Sequence, residues 1–385
     1  MEKSDPCKGR AATSSVRIMP KLVGSGLMSI VSIAIALLIG ELAVRTLYPQ
    51  QLGIWTYTRD GLTLHLPNMS QHSQRFGYDI KTNSLGMRDR EHKIKKAESV
   101  FRILVLGDSF MEALQVKFED SFASLLEIRL RNEVGRSVEV INASVSGWGT
   151  DDELTYLMRE GLKMDPDLII VAMTLHNDVN DNLLEEYHSF QGGRLYQRPV
   201  SLVPWPSFAL LKVKEWLAAN SHMYQVFLRA NRINWASAEA KNLDSHVIDL
   251  LRRIPTKRME FGWSMTQQLF EKIMVAGRSN NATVVVVLLP LYVQVYPDGL
   301  GAVLKTFNLR EEEIDRLKPQ ELMMNFGRTI KLPVLDLLPI FWDAKARCNC
   351  SLYVEGDGHW NEEGHKVAAG GVADKILTNG WVPSN

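Results

Sequence analysis

Four short segments carry side chains suited to acyl chemistry. Gly107-Asp108-Ser109-Phe110 places a hydroxyl just after a glycine, where a helical pattern begins. A serine at a helix N-terminus has its own N–H pointing toward a developing negative charge. A plain helix N-cap would use the same residue type. Asn142-Ala143-Ser144-Val145-Ser146-Gly147-Trp148-Gly149-Thr150 offers Gly147, whose N–H can approach a ligand because no side chain intervenes. An ordinary glycine turn would look the same. His176-Asn177-Asp178 offers an amide donor in Asn177, a residue that also often satisfies its own loop. Near the C-terminus, Asp357-Gly358-His359-Trp360-Asn361 sets an imidazole beside a carboxylate. Histidine is the natural base for a serine hydroxyl, and a carboxylate fixes its tautomer and stabilises the imidazolium. Asn361 suits the N-cap of a final helix, with Glu362 and Glu363 in its first turn. His365 falls on that helix's face and reads as a packing residue. The acidic run from Asp178 to Asn182 lacks the glycine and distal glutamate of an EF-hand loop, so no metal site is expected.

These segments need a scaffold that brings them together. Five short runs rich in Val, Ile and Leu cover residues 102–106, 138–141, 168–173, 283–289 and 334–337. Continuous apolar runs suit strands buried on both faces, as in a parallel sheet. Between them, Phe118, Phe122, Leu125, Leu126 and Leu130 recur at helical spacing, as do Leu154, Leu157, Met158 and Leu162. Val367, Ala368, Val372 and Ile376 form another such face after the last run. Strand alternating with helix predicts a doubly wound α/β sheet. Ligands bind such sheets beyond the carboxyl ends of the strands. Each chemical segment follows one of the runs or opens the last helix, which places a serine, two oxyanion donors and an Asp/His pair on one rim. A helical insertion is expected at about 183–272, ending in a helix that crosses back to the sheet. Its Trp205, Trp216 and Trp235 could form a partner surface, although packing inward is the commoner use of such residues.

In this order, the segments resemble the blocks of SGNH (GDSL-type) hydrolases, over roughly residues 100–178 and 283–377. The resemblance implies a flavodoxin-like three-layer sandwich with a five-stranded parallel sheet. It also implies Ser109 as nucleophile, His359 and Asp357 as its catalytic partners, and an oxyanion hole made by the N–H groups of Ser109 and Gly147 and by Asn177. Two positions depart from the family pattern. His176 stands where a glycine is usual, and Asp357-Gly358-His359 is one residue shorter than the common Asp-x-x-His. The Asp-x-His-Trp arrangement also looks like that of alginate-type O-acetyltransferase relatives, which points to acyl transfer onto carbohydrate as an alternative.

The chain has 385 residues with 44 basic and 44 acidic side chains. These values exclude wholesale disorder, and the lack of a basic surplus argues against a general nucleic-acid binder. Three cysteines are too few for a disulfide framework, and a single residue between Cys348 and Cys350 disfavours their pairing. Residues 22–40 carry no charge, and as a helix they span roughly 28 Å, close to the hydrocarbon thickness of a bilayer. Lys3, Lys8, Arg10, Arg17 and Lys21 precede this stretch against Glu2 and Asp5. That excess predicts a cytoplasmic N-terminus with the rest exported. No A-x-A cleavage signal follows.

The expected organisation is a cytoplasmic segment (1–21), a transmembrane anchor (22–44), a stalk and edge-covering segment (45–100) and a hydrolase-like domain (101–380). The expected function is a single-pass, extracytoplasmic serine esterase of SGNH/GDSL type, periplasmic or extracellular. It would act on a small-molecule, carbohydrate or lipid ester and need no cofactor. An O-acyltransferase acting on cell-surface carbohydrate and a non-catalytic membrane-anchored assembly protein are the alternatives.

Overall fold

In the computed structural model, residues 18–175, 177–199, 201–232, 247–296, 298, 300–348 and 350–383 are described. Helix α1 (Ile18–Leu47) runs without a break through the uncharged stretch and on past Glu41 and Arg45. Two small antiparallel hairpins follow, β1 (Trp55–Tyr57) with β2 (Thr63–His65), and β3 (Ser70–His72) with β4 (Asp79–Lys81). Three-residue strands leave too little alternation to be read from sequence. The segment expected as a stalk and edge cover is packed on the domain. Ile54, Leu62, Ile80 and Met87 are buried, and the Arg88 guanidinium donates to the Glu112, Ala113 and Val116 carbonyls.

The five apolar runs become five strands: β5 (Phe101–Leu106), β6 (Val138–Asn142), β7 (Leu168–Thr174), β10 (Thr283–Leu289) and β11 (Val334–Asp336). All pairings among them are parallel, in the order β11-β10-β7-β5-β6. Counted within the sheet, that is 2-1-3-4-5, the flavodoxin-like order. From β5 the chain moves outward to β6, then returns to the other side of β5 as β7. This reversal opens a crevice at the carboxyl ends of β5 and β7.

Alternate residues of each strand feed two cores. Ile103 and Val105 pack with helices α3 (Phe122–Val134), α10 (Leu338–Arg347) and α11 (Glu362–Thr378), through Phe122, Leu126, Phe341 and Val372. Leu104 and Leu106 pack on the other face with α4 (Thr150–Arg159) and α8 (Lys257–Ser279), through Leu154, Leu157, Leu269 and Phe270. Three layers result, with α9 (Lys318–Ile330) beside α8.

The insertion is not wholly helical. It opens with hairpin β8 (His188–Gln191) and β9 (Arg194–Gln197), turned by Gly192-Gly193. That dipeptide is a readable hairpin signal. Helices α6 (Trp205–Asn220) and α7 (His222–Arg232) follow, and α8 crosses back to β10 as expected. Trp205 and Trp216 are not core residues: both are exposed. Trp235 lies outside the described residues. Cys348 and Cys350 are paired, against expectation. Cys348 caps α10 with an extended backbone, so the chain swings away and sets the two Cα atoms 5.2 Å apart, within the range a disulfide spans.

Candidate active site

Strand β5 ends at Leu106, and a single helical turn, α2 (Ser109–Glu112), starts at Ser109. Asp108 caps this turn, accepting from Phe110 N at 3.0 Å and from Thr174 Oγ1 at 2.8 Å. The second bond ties the end of β5 to the end of β7. Burial raises the Asp108 pKa, outweighing these bonds and the nearby charge of His359.

The Ser109 hydroxyl lies 2.8 Å from His359 Nε2, and His359 Nδ1 lies 2.5 Å from Asp357 Oδ1. The shortened Asp-Gly-His spacing still reaches because Gly358 has φ +87°, a left-handed conformation that curls the loop back on itself. The loop is closed by a hydrogen bond from Val354 N to the His359 carbonyl at 2.8 Å. Trp360, fully buried against Phe110 and Phe341, fixes where the loop leaves the core. The Phe110 ring also packs 4.8 Å from the His359 ring. The hydrogen bond from His359 outweighs burial and, with the charges of His359 and Arg75, holds the Asp357 carboxyl below its ordinary pKa. His365 is buried beneath the site against Trp360, and burial pushes its pKa down to about 3.

Three side chains around this relay had no sequence signal. The Arg75 guanidinium forms an ion pair with Asp357, 2.5 Å from Oδ2. Glu112 takes the Ser146 N–H at 2.7 Å and the Ser146 hydroxyl, and it pairs with His65 at 2.7 Å. Burial raises the Glu112 pKa, but the charge and hydrogen bond of His65, with the bonds from Ser146, hold it below its ordinary range. This pair anchors the residue just before Gly147, whose φ is +83°.

The second segment adjoins the first, and the residue after it adjoins the turn that follows the third. Val145 N donates to the Gly107 carbonyl, and Asp151 N donates to Asn182 Oδ1 at 3.1 Å. Asn177, at the start of the short turn α5 (Asp178–Asp181), donates from Nδ2 to Asp181 Oδ2 at 2.7 Å, while its Oδ1 is buried without a partner. His176 lies outside the described residues. Ser109, Gly147, Asn177 and the Asp357/His359 loop thus all follow the carboxyl ends of strands or the loop facing them. Beneath them, Asp108, Glu153 and Asp178 are buried, each with one carboxylate oxygen unpartnered. Burial, then repulsion from neighbouring carboxyls (Asp108 and Asp152 for Glu153, Glu153 and Asp108 for Asp178), holds both well above the usual carboxyl range. Among the described residues, no group of three or more His, Cys, Asp or Glu is arranged to hold a metal ion.

The arrangement agrees with the SGNH resemblance of the sequence. No protein-family model matches the chain, and no curated protein matches it. Among solved structures, it is similar to a two-domain esterase active on acetylated mannans, at 14% identity and TM-score 0.40 over 72% of this chain and 50% of that one. The chain thus spans half the length of that esterase. It is similar to an acetylxylan esterase from Geobacillus stearothermophilus, at 11% identity and TM-score 0.40 over 74% of this chain and 97% of that one. It is also similar to a lipase/acylhydrolase from Enterococcus faecalis, at 13% identity and TM-score 0.36 over 72% and 96% of the two chains. At such distances, the site's own geometry has to carry the functional reading.

Proposed function

We propose that this protein is a serine esterase that works through an acyl-enzyme on the extracytoplasmic side of a membrane. One observation carries the reading: the unbroken relay from Ser109 Oγ through His359 to Asp357. His359 Nε2 takes the hydroxyl proton as Ser109 Oγ attacks the ester carbonyl. The ionised Asp357 stabilises the imidazolium. The N–H groups of Ser109 and Gly147 and the Asn177 amide receive the oxyanion, each donor worth on the order of 3 kcal/mol of barrier. His359 then protonates the departing alcohol. Water, deprotonated by the same imidazole, attacks the acyl carbonyl and frees Ser109.

The membrane setting is supported by the apolar stretch Leu27–Leu47 and by the basic residues ahead of it. A disulfide between Cys348 and Cys350 suits an oxidising compartment. A cavity of about 810 Å³, lined by Tyr292, Tyr296, Lys345 and Tyr353, borders Asp357 and Gly358. It favours a second reading, transfer of the acyl group to a carbohydrate hydroxyl bound beside the catalytic loop.

A fluorophosphonate probe tests the main reading. Labelling should occur on the wild-type chain and be abolished in Ser109→Ala, with circular dichroism unchanged. Undiminished labelling of the folded variant would remove Ser109 from the mechanism. Mass spectrometry with an acyl donor and oligosaccharide acceptors separates the two outcomes, since acylated sugar marks transfer and free acid alone marks hydrolysis.

A further inference from the structure

Helix α6 is apolar on its outer side as well as its inner one, where Phe208, Leu211, Leu217 and Ala219 are partly or fully buried. Its Glu215 is only 8% exposed and accepts from Thr56 Oγ1 at 2.9 Å, Tyr57 N at 3.0 Å and Lys212 Nζ at 2.8 Å. Four of its large apolar residues nevertheless face outward. Trp205, Leu210, Val213 and Trp216 are 64%, 57%, 53% and 63% exposed. A helix on a water-facing surface shows the opposite pattern. An exposed apolar face of this kind marks an interaction site.

The neighbouring elements indicate what covers it. The joint between α6 and α7 is bonded to the end of α1. Glu41 accepts from Ser221 Oγ at 2.7 Å and from the His222 and Met223 N–H groups, both at 3.0 Å. Arg45 donates to the Asn220 carbonyl at 2.8 Å. Helix α1 has the length and composition of a membrane span over Leu27–Leu47, with a mean hydropathy of 2.4, and none of its most apolar window is buried inside the protein. Glu41 and Arg45 are the first charges after its uncharged run, so they mark the headgroup level of a bilayer crossed by α1. The start of α7 and the end of α6 sit at that level. Tryptophans near both ends of α6 match the aromatic belts of membrane interfaces. The Arg59 guanidinium lies 4.4 Å over the Trp205 ring, and Lys214 and Arg229 are exposed nearby in sequence, all suited to anionic headgroups.

We propose that α6 is an interfacial helix, its outer face lying in the headgroup–acyl boundary of the bilayer that α1 crosses. The catalytic domain then has a second membrane contact besides its anchor. The proposal rests on the reading of α1 as a retained span.

The test uses the full chain, with Cys7→Ser and the disulfide intact, in nanodiscs containing phosphatidylglycerol. A fluorescent label is placed at Val213→Cys on α6, Ile33→Cys on α1 or Lys366→Cys on α11. Lipids carrying nitroxide quenchers should dim the labels at 33 and 213 and leave the label at 366 bright. Quenching at 33 without quenching at 213 overturns the interfacial helix while α1 remains a span. Loss of quenching at both overturns the anchor as well. A label at 213 that is shielded from water, escapes lipid quenching and becomes exposed at one chain per disc shows a second copy on this face, which also overturns the proposal.

Discussion

Arg75 and Asp357 come from opposite ends of the chain, yet the guanidinium lies 2.5 Å from Asp357 Oδ2 while Oδ1 holds His359. The hairpin β3–β4, far from any motif, therefore helps to aim the carboxylate of the relay. Arg75 itself is 64% exposed, so water weakens the pair. Arg75→Ala should lower kcat by no more than about fivefold, as expected for an exposed ion pair worth under about 1 kcal/mol. Asp357→Asn should lower it by about 10⁴-fold, because the wrong imidazole tautomer is then favoured. Steady-state kinetics on a short-chain ester compares the two. Equal losses would mean that Arg75 is part of the relay rather than a guide to it.

Asn177 should matter in the transition state more than in substrate binding. Asn177→Ala is expected to reduce kcat by about 10²–10³-fold with KM nearly unchanged. A rise in KM alone would assign Asn177 to binding and leave the oxyanion to backbone donors.

Glu112 is a stability prediction. Its carboxylate is buried between His65 and Ser146. Breaking such a pair costs about 3–5 kcal/mol, so Glu112→Gln should unfold at markedly lower denaturant. The double variant Glu112→Gln/His65→Gln should recover part of that loss, since the stranded imidazole is removed with its partner. No recovery would show that Glu112 acts through Ser146 alone.

The buried acids make stability depend on pH with a definite sign. Glu153 and Asp178 bind protons more tightly in the folded state than the ordinary carboxyls of the unfolded chain. Both states are protonated below about pH 4, the unfolded-state value. Above it the unfolded chain releases protons first, so their contribution to stability falls as pH rises toward the folded-state pKa values. Glu153→Gln should therefore flatten the decline in Tm between pH 5 and 8. An unchanged slope would mean that Glu153 is ionised in the fold.

The sheet was legible because each strand is buried on both faces, so its apolar run needs no alternation to be seen. The four chemical segments were legible for a related reason: each sits within a few residues of a strand end or helix start, and a doubly wound sheet sends such residues to one rim. Arg75, His65 and Glu112 were not legible. Their partners are set by how residues 53–98 fold over the domain, and no local spacing encodes that packing. The Cys348–Cys350 bond is not legible in the sequence because separation along the chain does not give the backbone path between the two residues. For Trp205 and Trp216 the sequence leaves a surface and an inward position both open, because helical spacing alone does not say which side of α6 the domain covers.

The bonds from Glu41 and Arg45 to the α6–α7 joint leave little slack between helix and catalytic domain. A domain on a loose leash could sweep a volume and reach esters at many heights. This one, with α1 embedded, would hold Ser109 at a set standoff, so the esters it meets would be those presented at that distance from the lipid.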